Sequence, residues 1–220
     1  LEGELEIPPR AKGVVLFAHG SGSSRHSLRN KYVAGTLHDS DIGTLLFDLL
    51  TKDEEEEETY TRHLRFDIDL LAGRLVYATR WIKEQAEIQE LPVGYFGAST
   101  GAAAALVAAA ALAEQVAVVV SRGGRPDLAG PYLDKVKAPT LLIVGGRDHH
   151  VIRLNMDAYS QLQCEKRLEI VDRATHLFEE PGALEEAARL AAEWFKKHFE
   201  SEADVLAARG GCASVEGGLW

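Results

Sequence analysis

Residues 93–101 read Val93-Gly94-Tyr95-Phe96-Gly97-Ala98-Ser99-Thr100-Gly101, and small or apolar residues continue without a break from Ala102 to Ala113. The first part, Val93–Gly97, is a short β-branched and aromatic run of the kind that fills a buried strand. The second predicts a helix over Ala102–Ala113 whose alanines permit close approach to a sheet. The apolar run Gly101 to Ala113 is 13 residues, whereas a membrane span needs about 20 of stronger hydrophobicity. Between strand and helix stands G-x-S-x-G. In that position the glycines relieve crowding at a sharp turn, and the serine is held strained with its oxygen above the sheet. Amide N–H groups at the helix start favour negative charge developing there. The pattern alone is common; at a strand-to-helix junction it reads as a nucleophile elbow.

Outward from this point, short apolar runs alternate with longer segments of helical period. That predicts an α/β fold, a mostly parallel sheet with helices on both faces. Strands are expected near Glu4–Ile7, Gly13–Ala18, Thr44–Asp48, Val93–Gly97, Val116–Ser121, Thr140–Val144 and Arg167–Val171. Leu64, Ile68, Leu71, Leu75, Ala78 and Ile82 recur at steps of three and four, one apolar stripe on a long helix. Leu184, Ala187, Ala191, Trp194 and His198 do the same after Pro181-Gly182. Tyr159 to Gln163 close a shorter helical stretch. Asp53 through Glu58 are six consecutive acids, expected as a solvated loop or helix start. The expected domain is 1–200, with 201–220 a poorly ordered extension carrying Gly210-Gly211 and Gly217-Gly218.

A serine needs a base, and the base needs an acid to hold its tautomer. In this architecture they follow in the order serine, acid, histidine. The strand Thr140–Val144 runs into Gly145-Gly146-Arg147-Asp148, and Arg167–Val171 is followed by Ala174-Thr175-His176. Ser99, Asp148 and His176 therefore all fall just beyond carboxyl ends of strands, where sites in open α/β sheets gather. An oxyanion hole is expected from the backbone N–H groups of Thr100 and Ser21, the latter in His19-Gly20-Ser21-Gly22 after the strand Gly13–Ala18. His19 is expected to brace that loop.

Together HGSGSSR, GASTG, GGRDHHV and THLFEEPG resemble the α/β-hydrolase superfamily and, within it, the dienelactone hydrolase-like group, over roughly Val14 to Phe199. The resemblance implies a serine-hydrolase fold with Ser99 as nucleophile, Asp148 as acid and His176 as base. One departure is plain: dienelactone hydrolase itself uses a cysteine nucleophile. The resemblance thus speaks for fold and triad more than for dienelactone as substrate.

Gly20-Ser21-Gly22 imitates a dinucleotide fingerprint, but its third glycine position is Arg25, too large for close helix–strand packing. No G-K-[S/T] follows. Asp148, His149, His150 and His176 lack metal-ligand spacing, and adjacent histidines on an extended segment diverge. No metal or cofactor is therefore expected. Arg122 and Arg125, in Ser121-Arg122-Gly123-Gly124-Arg125, are candidate substrate-binding residues, since arginine holds a carboxylate with paired bonds; structural ion pairing is the alternative. Arg25 invites the same thought. The functional expectation is hydrolysis of carboxylic esters, thioesters or lactones. Acyl transfer to another acceptor, or a non-catalytic interaction domain keeping the fold, are the alternatives.

Length and composition agree. The 220 residues suit one domain, 46% hydrophobic, with a formal net charge of −10. An acidic chain repels phosphate backbones and anionic lipid, so neither nucleic acid nor membrane is an expected partner. Yet the charge rises from −10 to −4 when the six acids at 53–58 are set aside, so much of it belongs to one segment. Two cysteines, Cys164 and Cys212, make no disulfide framework. No signal-peptide pattern opens the chain, and the expected location is cytoplasmic; the oligomeric state is open. Residues 122–139 are too few for an inserted cap, which predicts an open site for small soluble substrates.

Overall fold

The computed structural model describes residues 1–210, of which 201–210 by their backbone only. Seven strands form one sheet: β1 (Gly3–Glu6), β2 (Val14–Ala18), β3 (Gly43–Phe47), β4 (Val93–Ala98), β5 (Val118–Arg122), β6 (Thr140–Gly145) and β7 (Lys166–Val171). Their order is β1-β3-β2-β4-β5-β6-β7. Only β1 is antiparallel to its neighbour. This is the α/β-hydrolase fold the sequence predicts, and every strand end lies within two residues of its expected place.

The sheet separates two apolar layers, because side chains alternate along each strand. Val14, Leu16 and Ala18 of β2 face one layer and Val15 and Phe17 the other. The first layer is covered by α3 (Ile68–Lys83), α4 (Thr100–Leu112) and α5 (His149–Gln161). The second is covered by α1 (Leu28–His38) and α6 (Ala183–Gly210). Helix α4 is buried almost all round, as an alanine-rich helix must be to nest between sheet and neighbouring helices. Phe195 and Phe199 of α6 are fully buried, each contributing about 1.5–3 kcal/mol of apolar burial.

The structure differs from expectation in several places. The stripe from Leu64 to Ile82 is not one helix. Leu64–Phe66 forms a 3-10 turn, and α3 begins after Asp67, whose side chain accepts the N–H of Leu70 at 3.0 Å. The six acids take the second of their two expected forms, the start of a helix, α2 (Lys52–Thr61), closed by a reciprocal cap between Thr51 and Glu54. His149 and His150 open α5 rather than lie on an extended segment. Helix α1 has no counterpart among the expected elements; its inward stripe is Asn30, Val33, Ala34 and Leu37, and the leading asparagine hides the period. Between β5 and β6 the chain makes a 3-10 segment, Pro126–Lys135, and no cap is inserted there. The backbone of α6 runs on to Gly210, through the first half of the expected extension. Its second half, 211–220, lies outside the described residues. No helix among the described residues is long and apolar enough to cross a membrane.

Candidate active site

Ser99 occupies the junction between β4 and α4 with φ 51° and ψ −121°, a region that side-chain-bearing residues rarely enter. The flanking glycines are what allow this turn. A Cβ on Gly101 would stand 2.1 Å from the carbonyl oxygen of Ala18, and one on Gly97 would stand 2.4 Å from Cα of Ala102. Both distances are far inside van der Waals contact, so no larger residue fits without moving backbone. The Ser99 N–H donates to the carbonyl of Arg122 at 3.3 Å, and its own carbonyl accepts from Arg125 N–H at 3.0 Å. Its hydroxyl makes no capping bond to the helix it opens.

Asp148 and His176 meet. Asp148 ends the turn after β6, where one carboxylate oxygen caps α5 by accepting from Val151 N–H at 3.4 Å. Its other oxygen accepts from His176 Nδ1 at 2.6 Å. The carboxylate can only accept, so the proton sits on Nδ1 and Nε2 is left as the basic nitrogen. A Cβ on Gly123 would lie 3.7 Å from His176 Cε1, and Gly123 directly follows the residue bonded to Ser99. Among the described residues no hydrogen bond joins His176 to Ser99.

The loop after β2 lies against the elbow: a Cβ on Gly20 would be 3.1 Å from that of Ser99. The N–H of Ser21 donates to Thr100 Oγ1 at 3.0 Å, and the two hydroxyls are 3.3 Å apart. Both expected oxyanion donors thus belong to residues that touch beside Ser99. His19 braces this loop. Its Nε2 accepts from Leu49 N–H at 3.1 Å, which leaves the proton on Nδ1 to donate to Gly20 carbonyl at 3.1 Å. Burial lowers its pKa below the usual 6.5, the carbonyl of Gly20 and the charge of Asp48 partly opposing.

Beside the loop opens a cleft of about 340 Å³, lined in part by Gly20, Ser21, Thr100, Glu55, Glu58 and Arg65. Part of the acidic run is therefore a wall of this cleft. Glu58 is buried, accepts from Leu64 N–H at 2.7 Å and pairs with Arg65. Burial alone would raise its pKa, but these bonds hold it below the usual carboxylate value.

The three arginines singled out in the sequence have separate fates. Arg25 is paired with Asp48 and Glu2, tying the loop to the end of β3. Arg125 grips Asp127 with two bonds, at 2.9 and 2.8 Å. That is the ion pairing named as the alternative to substrate binding. Arg122 is different. It is 7% exposed, its guanidinium lies 5.9 Å from the Phe96 ring and 5.8 Å from the Phe178 ring, and it has no ion-pair partner among the described residues. Burial and the neighbouring charge of Arg29 push its pKa down to about 10. Among the described residues no three His, Cys, Asp or Glu side chains gather as a metal cluster.

Comparison with known proteins places the chain. A dienelactone hydrolase from Anabaena variabilis is 63% identical, covering 89% of this chain and 91% of that one, with a TM-score of 0.88. Est1E from Butyrivibrio proteoclasticus, 14% identical over 90% of this chain and 94% of its own, has a TM-score of 0.75 and shares the fold. A protein of Mycobacterium tuberculosis carrying a provisional phosphoribosyl transferase name is 57% identical over 197 residues, 90% of this chain. The chain spans only 44% of that relative's length. The model of the dienelactone hydrolase family matches residues 8–202, and with Ser99, Asp148 and His176 just past the ends of the parallel strands β4, β6 and β7, the chain belongs to that family.

Proposed function

We propose that the protein is a serine hydrolase that cleaves carboxylic esters, thioesters or lactones of small soluble substrates through an acyl-enzyme. The observation that carries this reading is the backbone of Ser99, strained at φ 51° beside an Asp148–His176 pair at 2.6 Å. Strain of this kind persists where the surrounding structure imposes it, and it clusters at reactive positions.

In this reading His176 Nε2 takes the proton of Ser99 as Oγ bonds to the substrate carbonyl carbon. Asp148 stabilises the imidazolium. The tetrahedral oxyanion is bound by the N–H groups of Thr100 and Ser21, the second exchanging its Thr100 hydroxyl acceptor for the oxyanion. Collapse breaks the bond to the leaving oxygen or sulfur, which receives the proton from His176. Water then gives a proton to Nε2 as it attacks the acyl carbon. Ser99 leaves with that proton, and the acid is released. Hydrogen bonds of this kind are often long without substrate and tighten in its complex, which accommodates the missing Ser99–His176 bond.

The transferase name of the Mycobacterium tuberculosis relative describes a protein more than twice as long as the matched stretch. We assign to this chain the chemistry of its own elbow. The test is a fluorophosphonate probe with peptide mapping. Labelling at Ser99, and lost ester turnover in a folded Ser99→Ala variant, is the expected result; a folded wild-type protein that remains unlabelled overturns the reading.

A further inference from the structure

Asn155 of α5 is fully buried and gives its side-chain protons to two carbonyls. One is that of Gly124 at 3.0 Å, the other that of Val151, one turn earlier on the same helix, at 2.8 Å. Carbonyls only accept, so the N–H₂ end faces both. The Oδ1 is then left buried, accepting no bond from the described residues. A buried polar atom without a partner costs stability and calls for an explanation. An apolar side chain of the same branched shape would avoid that cost, so stability alone does not account for an amide here.

The bond to Gly124 leads to the elbow. The Gly124 carbonyl and the Arg125 N–H belong to one planar peptide unit, and that N–H donates to the Ser99 carbonyl at 3.0 Å. The Ser99 carbonyl in turn shares a peptide unit with the N–H of Thr100, the donor next to the nucleophile. Amides therefore stand head to tail from the Asn155 side chain to Thr100. Each hydrogen bond in such a chain polarises the next. The Thr100 N–H thereby gains a fixed direction and a stronger pull on negative charge. The Ser99 carbonyl also accepts from Ala102 N–H at 3.1 Å, but that bond lies within the start of α4, whereas the one from Arg125 anchors the peptide from outside. The anchoring segment needs a hold of its own, because Gly123, at φ 53°, and Gly124 bring no side chains to it. The second Asn155 bond supplies the other end: Val151 gives its N–H to Asp148, so one amide ties the elbow to the helix turn that carries the acid.

We infer that Asn155 is a positioning residue for the oxyanion hole, orienting and polarising the Thr100 N–H through the Gly124–Arg125 peptide without touching substrate. The role rests on the hydrolase reading for the reaction it serves, though not for the hydrogen-bonded chain itself.

Asn155→Leu keeps the branched shape and removes both donors. The folded variant should show kcat for p-nitrophenyl butyrate lowered about tenfold with KM within about twofold of wild type, the pattern of an interaction realised in the transition state. The amide proton of Thr100, read by NMR in the free protein, should move upfield as the chain loses its first donor. Asn155→Ser, whose hydroxyl ends one bond short of the asparagine nitrogen, should act in the same direction and keeps the test available if Asn155→Leu does not fold. A folded variant with wild-type kcat, with the Thr100 proton unmoved, or with a loss confined to Tm or KM overturns the positioning role. If fluorophosphonate fails to label the wild-type protein, the hydrolase reading falls by itself, and the Thr100 proton then decides the chain: a shift supports it and its absence overturns it.

Discussion

Asp148 serves His176 and α5 with different oxygens: one accepts from His176 Nδ1 at 2.6 Å, the other from Val151 N–H at 3.4 Å. The two duties can be separated by substitution. Asparagine caps a helix as well as aspartate does, but an amide can present its N–H₂ to Nδ1 and select the wrong tautomer. Asp148→Asn should therefore lower kcat about 10³–10⁴-fold while changing stability little. Asp148→Ala should lose the cap as well, at about 1 kcal/mol. Ester turnover read beside urea unfolding checks both. An Asp148→Asn enzyme with near-normal kcat would show that the pair is only a structural clasp.

The conformation of Ser99 makes a stability prediction of the opposite sign. A non-glycine residue at φ 51° and ψ −121° stores about 1–3 kcal/mol of strain. Glycine has no Cβ to strain, although its freer unfolded chain returns about 0.5–1 kcal/mol of that gain. Ser99→Gly should thus be more stable than wild type by about 1 kcal/mol, a rise of roughly 2–4 °C in Tm for a chain of this size. Ser99→Ala keeps the Cβ and should gain nothing. Calorimetric scans of the three proteins decide it: equal Tm values for Ser99→Gly and Ser99→Ala would show that the elbow is unstrained.

What was legible in the sequence follows from which interactions are local. Strands could be read because parallel-sheet interiors demand continuous apolar runs, and the elbow because its glycines answer a steric need inside five residues. Helix α1 escaped because Asn30 stands where its stripe begins, a choice made by tertiary packing. Arg122 and Arg125 look alike in sequence; only the fold puts Asp127 within reach of one and Phe96 and Phe178 around the other. The acids at 53–58 were half legible. Their composition reads as solvated surface, but a helix turns every fourth side chain the same way, so Glu54 meets Arg74 and Glu58 turns inward to Arg65 and Leu64.

That distinction among neighbouring acids is measurable. Glu58→Ala leaves the Leu64 N–H without its acceptor and Arg65 without its partner, and should cost about 1–3 kcal/mol. Glu56→Ala, on the exposed face of the same helix, should stay within about 0.5 kcal/mol of wild type. Urea midpoints at constant m-value report the difference. Equal midpoints for the two variants would return the whole run to solvated surface.

The last prediction concerns acid, and its sign follows from His19. Nε2 of His19 accepts the Leu49 N–H, so protonation would set donor against donor within a buried loop. Burial accordingly lowers its pKa below 6.5. The unfolded chain then takes up this proton at a higher pH than the folded one. Stability from the neutral ring is complete above about pH 6.5 and is lost as pH falls toward the lower folded value. Burial lowers His198 in the same direction, with Glu165 opposing. Carboxylates held below their usual 4.5, among them Glu54 and Glu186, lose their contribution only at lower pH. Unfolding free energy should therefore begin to fall as pH drops below about 6.5, above the range in which Glu54 and Glu186 lose their contribution. His19→Gln, which has no proton to gain, should flatten that slope by up to about 1.4 kcal/mol per pH unit. It should also slow ester turnover at neutral pH, because the ring that fixes Gly20 and the N–H of Ser21 is gone. A slope identical to wild type over this window would remove His19 from the acid response and leave it to His198.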